Sequence, residues 1–144
     1  MNSLNLSLKR FDDNSAEFFA TVKCNGFEGL GSCFVDVDAF AISAQNFSLY
    51  PLPKDGSVCI EGGYFNKDMR GLAQTHLRLS AMPADALGGL VLRLTLATPV
   101  EESSRSFSAK LNCDIPCNYE TLKNVSEALM ALAKQYGDSY IIDL

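Results

Sequence analysis

Two hydrophobic periods run along the chain, and they change at definable places. Near the start Leu4, Leu6 and Leu8 alternate with polar residues. After the turn-like Asp12, Asp13, Asn14, Ser15, the period of two returns with Phe18, Ala20, Val22 and Cys24. Alternation of this kind describes half-buried strands, so two antiparallel strands are the simplest account. Gly26, Gly29 and Gly31 crowd the next stretch, which predicts a bend and then a short strand over Ser32, Cys33, Phe34 and Val35. From Val37 through Phe40, Ala41, Ala44 and Phe47 the apolar spacing becomes three and four. That is a helical stripe over residues 37–49, capped by Asp36 or Asp38 and stopped by Pro51 and Pro53.

A strand signal over Val58, Cys59, Ile60 and Glu61 is broken by Gly62 and Gly63, and a polar loop follows through Asn66 to Gly71. Three clear strands come next: Thr75, Leu77, Leu79; then Leu90, Leu92, Leu94, Leu96; then Phe107, Ala109, Leu111, Cys113. Each alternates with polar or smaller partners, and the connections Pro83–Gly89 and Pro99–Arg105 suit an antiparallel meander. Finally Asn118 precedes Leu122, Val125, Leu129, Leu132 and Tyr136, with Gly137 as the stop, which predicts an N-capped amphipathic helix. Its stripe needs an apolar surface, and the leucine face of the central strands supplies one. The expected class is α+β: an antiparallel meander sheet with one short internal helix and one long C-terminal helix packed on one face. Tyr140 to Leu144 either adds an edge strand or dangles.

Composition adjusts this picture in a few respects. The 144 residues suit one domain spanning 1–144, and 47% hydrophobic against 20% charged residues is the balance of a folded chain. Seventeen acidic against twelve basic residues give a net charge of −5, which opposes attraction to phosphate backbones and anionic lipid. Nucleic acid and membrane are therefore not expected partners. The longest apolar run, Leu87 to Leu96, contains Gly88, Gly89 and Arg93 and is far short of the ~20 residues of a membrane helix. No secretory signal is visible over Met1 to Arg10.

The five cysteines are Cys24, Cys33, Cys59, Cys113 and Cys117. An odd count without a signal suggests reduced thiols in a cytosol, with one free thiol plus two bridges as the alternative. Cys113 and Cys117 are spaced C-x3-C, and Cys59 and the lone His76 could complete four ligands, but a zinc site ordinarily shows two tight pairs. No metal or cofactor is expected. His76 falls on the polar side of a strand, outside any H-E-x-x-H spacing, and reads first as a solvated histidine. The order G-x-x-G-x-G is wrong for a dinucleotide fingerprint, and no G-x-S-x-G elbow or Walker-type G-K-[ST] exists.

What remains is a surface argument. Glu28, Asp36, Asp38 and Glu61 fall near turns or strand ends, and Ile60, Glu61, Gly62, Gly63, Tyr64 combines a carboxylate with flexible backbone and an amphipathic ring. An acidic domain with such loops and a polar strand face is built like a stoichiometric binder of a basic protein. The blocks Gly29, Gly31, Ser32, Cys33, Phe34, Val35, Asp36, Val37; Leu49, Tyr50, Pro51, Leu52; Glu61, Gly62, Gly63, Tyr64; Gln74, Thr75, His76, Leu77; Gly89 with Leu94, Leu96, Ala97, Thr98, Pro99; and Asn118, Tyr119, Glu120, Thr121, Leu122 carry a resemblance. Over residues 16–136 the chain resembles small bacterial proteins grouped with WapI-like immunity proteins. The resemblance implies a cytoplasmic, non-catalytic antitoxin that binds and neutralises the C-terminal domain of a polymorphic or contact-dependent toxin. Glu28, Asp36, Asp38, Glu61, Tyr64, His76 and Arg78 are the candidate partner-binding residues. The alternatives are a small ligand-binding domain or enzyme centred on Glu61, Tyr64 and His76, and a homodimer paired through a sheet edge or face.

Overall fold

A computed structural model gives the arrangement of the chain and describes residues 1–101 and 107–144. The fold is α+β, with eight strands and two helices among the described residues. The strands are β1 (Ser3–Arg10), β2 (Ser15–Cys24), β3 (Phe27–Asp36), β4 (Cys59–Phe65), β5 (Leu72–Pro83), β6 (Leu90–Ala97), β7 (Lys110–Cys117) and β8 (Ser139–Asp143). The helices are α1 (Val37–Asn46), between β3 and β4, and α2 (Tyr119–Ala133), before β8. The strands divide into two antiparallel sheets of four, β3-β2-β1-β8 and β4-β5-β6-β7, below called the first and second sheets.

Local chemistry explains the boundaries. Asn25 and Gly26 both take positive φ, which is what a two-residue hairpin turn requires to match the twist of β2 and β3. The expected bend at Gly29 and Gly31 does not occur there, and both glycines lie within a ten-residue strand. Their role is space: a Cβ on Gly31 would sit 2.8 Å from a Leu96 methyl, and one on Gly29 would sit 2.7 Å from a Leu111 methyl. The missing side chains let β3 lie against the leucines of the second sheet, so one core serves both sheets and both helices.

Helix α1 starts where the Asp36 carboxylate accepts from the Ala39 amide at 2.9 Å, which settles the choice between Asp36 and Asp38 as cap. It buries Val37, Phe40 and Ala44 and ends at Asn46, three residues before the expected limit. Helix α2 is capped by Asn118, whose Oδ1 accepts from the Thr121 amide at 2.9 Å. Leu122, Val125, Leu129 and Leu132 are all buried, each worth about 1.5–3 kcal/mol relative to exposure. The helix stops before Gly137, because Gln135 takes the left-handed position and the Tyr136 amide donates back to the Ala131 carbonyl at 2.9 Å. Tyr136, expected on the buried stripe, is therefore exposed. Helix α2 lies beside α1, β1 and β8, and its buried face joins the same core as the central leucine strands. The Ser126 hydroxyl donates to the Ala44 carbonyl at 2.7 Å and fixes the two helices to each other.

Two further expectations are corrected. β4 runs through Gly62 and Gly63 instead of breaking there, because the ladder with β5 absorbs the irregularity as a shift of register. β7 keeps the expected phase at Leu111 and Cys113 but runs to Cys117, leaving Phe107 outside the strand and exposed. Thr98 still donates its amide to the Ala109 carbonyl at 3.0 Å beyond the strand ends; residues 102–106, which take in the end of the expected Pro99–Arg105 connection, lie outside the described residues. The tail forms β8, an edge strand beside β1.

Candidate functional site

The register of β4 on β5 places the residues singled out by the sequence. Glu61 stands opposite Arg78, and the Arg78 guanidinium donates to the Glu61 carboxylate at 2.9 Å. Next along the ladder Gly62 pairs with Leu77 and Gly63 with Thr75, so His76 is an extra residue on β5, the signature of a β-bulge. The bulge puts His76 and Leu77, neighbours in sequence, both in the interior, with His76 only 6% exposed. The expected solvated histidine is thus a buried one. A two-residue alternation assumes an unbroken ladder, and one inserted residue reverses it locally. A Cβ at Gly63 would collide with the Gln74 carbonyl, so the bulge needs glycine opposite it.

Around His76 the contacts are specific. Its ring packs edge-on against Tyr64 with centroids 4.5 Å apart, and its Nε2 lies 3.2 Å from Gln74 Oε1. That same oxygen accepts from the Val100 amide at 3.1 Å, while Gln74 Nε2 donates to the Val100 carbonyl at 2.7 Å. The Gln74 oxygen has no proton to give, so Nε2 carries the hydrogen and donates. Burial pushes the His76 pKa below its ordinary value, because the charged imidazolium would lose hydration. An open cavity of about 640 Å³ adjoins, with Gln74, His76, Thr98, Ser108 and Lys110 among its lining.

The other candidates separate. Glu28 and Asp36 are at opposite ends of β3, roughly 26 Å apart at the usual rise per residue. Glu28 pairs loosely with Lys23 at 3.8 Å. Asp36 and Glu61, by contrast, line one groove of about 300 Å³ with Phe34, Ala39, Phe40, Ser43 and Phe65.

This groove has walls that the sequence reading did not single out. Phe34 and Phe65 are 72% and 56% exposed, and Phe11, 52% exposed, packs on Phe34 at 5.9 Å between centroids. Contiguous exposed aromatic surface is uncommon on a chain that keeps to itself and marks an interaction site. The signal was present as phase: Gly29, Gly31, Cys33 and Val35 share the inward phase of β3 and leave Phe34 on the outer one.

Carboxylates surround these rings. The Val37 amide donates to the Asn14 carbonyl at 2.8 Å, which holds the turn carrying Asp12 and Asp13 beside the start of α1 with Asp36 and Asp38. Asp12 Oδ1 accepts from the Asn14 and Ser15 amides at 2.8 Å each, and these bonds hold its carboxyl below the usual range. Lys9 stands 6.0 Å above the Phe11 ring, and Arg78 is already tied to Glu61. The patch is apolar at its centre and negative at its rim.

The cysteines do not make a second site. Cys113 and Cys117 are four residues apart on one strand, roughly 13 Å, too far for a disulfide. Burial pushes the Cys33 thiol up to about 12 and the Cys117 thiol up to about 11, so neither is a ready nucleophile. All five are free thiols, and among the described residues no three His, Cys, Asp or Glu side chains are grouped to hold a metal ion. No helix of the described residues is long and apolar enough to cross a membrane. Comparison of the chain with family models, with curated proteins and with solved structures finds no match.

Proposed function

We propose that this protein is an immunity protein: it binds the toxic C-terminal domain of a polymorphic or contact-dependent toxin in the cytoplasm and neutralises it without catalysis. The observation that carries the reading is the exposed cluster of Phe11, Phe34 and Phe65, with Asp36 in the same groove and Asp12, Asp13 and Asp38 on the adjoining turn and helix start. Aromatic anchors at the centre of a patch supply affinity when water leaves them, and rim charge governs the speed and selectivity of encounter. A net charge of −5 adds long-range attraction for a basic partner. The resemblance to WapI-like immunity proteins points the same way.

The test is co-purification with the candidate toxin domains encoded beside its gene. A one-to-one complex that abolishes toxin activity, and that associates more slowly at about 0.5 M salt, supports the reading. Failure of every such domain to bind overturns it.

A second reading, a small ligand-binding domain or enzyme, is favoured by one observation: the buried His76, packed edge-on against the exposed Tyr64 ring, lines the cavity at Gln74. Glu61 points away from that role, since its carboxylate is engaged by Arg78. Ligand binding that survives both Glu61→Gln and His76→Ala would remove this reading.

A further inference from the structure

The first sheet has an edge whose hydrogen-bonding groups can be worked out residue by residue. β8 pairs with β1 so that Ser3 faces Asp143, Asn5 faces Ile141 and Ser7 faces Ser139. The Leu144 amide donates to the Asn2 carbonyl at 3.0 Å, which makes that pair hydrogen-bonded. Hydrogen-bonded and non-bonded pairs alternate along an antiparallel ladder. Ile142 and Tyr140 therefore turn their N–H and C=O groups toward β1, and Ser139, Ile141 and Asp143 turn theirs away from it, to the open side.

That open side is apolar at its centre. Ile141 is 69% exposed, and Ala128 and Ala131 of α2, being small, leave a groove of about 530 Å³ against Tyr140, Ile141 and Ile142, with Asn124, Glu127 and Asp143 along its margin. Of the second sheet's two edges, β7 carries Pro116, which has no N–H to give.

We propose that β8 pairs antiparallel with β8 of a second copy of this chain, with Ile141 on the two-fold axis. The sequence Ser139-Tyr140-Ile141-Ile142-Asp143 is self-complementary in that register. Ile141 meets Ile141, and Ser139 stands opposite Asp143 of the second copy, where its hydroxyl donates to the carboxylate. No two carboxylates oppose each other in the strand, although Asp143 closes it and Asp138 precedes it. About six new backbone hydrogen bonds form, and the two four-stranded sheets become one sheet of eight with a closed two-fold interface. β8 and β3 are opposite edges of the first sheet, so the dimer leaves the Phe34 groove open. The inference is independent of the proposed toxin binding.

Sedimentation equilibrium of the full chain between about 1 and 100 μM, the span of ordinary reversible association, tests it. The parent is expected at twice the mass of one chain at the upper end. Ile141→Lys places two ammonium groups side by side on the axis and should weaken dimerisation at least tenfold, with the thermal midpoint of the diluted monomer unchanged. Ile141→Pro removes an N–H that serves no intramolecular bond and should do the same. A parent that stays monomeric throughout overturns the proposal, as does a dimer whose mass both variants retain.

Discussion

The outer face of the second sheet and the groove at the end of β3 are both exposed, and they differ in how far their groups are already satisfied. On the second sheet Arg78 holds Glu61, Thr95 Oγ1 lies 2.8 Å from Asn112 Oδ1, and Arg93 grips both oxygens of Asp114 at 2.7 and 3.1 Å. These are cross-strand partners, and each pair completes the needs of the other. At the end of β3, Phe11, Phe34 and Phe65 leave half or more of their surface in water. A face whose charges are internally paired has little to gain from a partner, because docking would have to desolvate pairs already formed. Exposed aromatic rings gain from every molecule that displaces their water. The polar strand face, attractive in the sequence as a contact surface, is thus the weaker candidate, and the aromatic groove is the stronger.

This contrast can be broken most forcefully at the rings. Replacing Phe34 and Phe65 together by alanine should weaken toxin binding by more than 100-fold, at about 2 kcal/mol or more for each anchor, with little change in thermal midpoint. Calorimetric titration alongside a melt separates the two effects, and unchanged affinity would remove the groove from the interface. Asp36→Ala comes next, because it acts on both properties. Loss of the cap should destabilise the fold by about 1 kcal/mol, and loss of rim charge should slow association. Asp38→Asn keeps the cap and should affect association alone.

Smaller effects sharpen the other side of the comparison. Because the folded-state pKa of His76 is depressed, the unfolded chain binds the extra proton first as acid is added. Stability should therefore be full above the unfolded histidine value, near 6.5, and should fall as pH drops through it. His76→Leu should flatten denaturant midpoints between about pH 7 and 5 relative to the parent; an unchanged slope would place His76 in water. Asp114→Asn is the mildest change. Arg93 holds the Asp114 carboxyl below its usual range, but the pair is exposed, so the loss should stay within about 1 kcal/mol, with no effect on toxin affinity.

The sequence was most readable where one element's own pattern decides its structure. The stripe Leu122, Val125, Leu129, Leu132 with Asn118 before it defines α2, because cap and period are both local. The alternation of Leu77 with Leu79, and of Leu90 through Leu96, defines strands for the same reason. Asp36 and Glu61 were legible as candidates, and their shared groove was not, since it arises from packing β4 beside β3 and α1. Phe34 was legible only as an apolar residue in a strand; which side it faces depends on the register of β3 with β2.

By itself, then, the chain determined its α+β class, the Asn118 cap, the period of its strands and helices and its negative charge, all properties of neighbouring residues. Only the tertiary structure decided that the strands split into two sheets, that a bulge opposite Gly63 turns His76 inward, and that Phe34 and Phe65 meet in one groove with Phe11 packed on Phe34. Each of these follows from contacts between segments far apart in sequence, and a residue's neighbours along the chain carry no record of which segment will lie across from it.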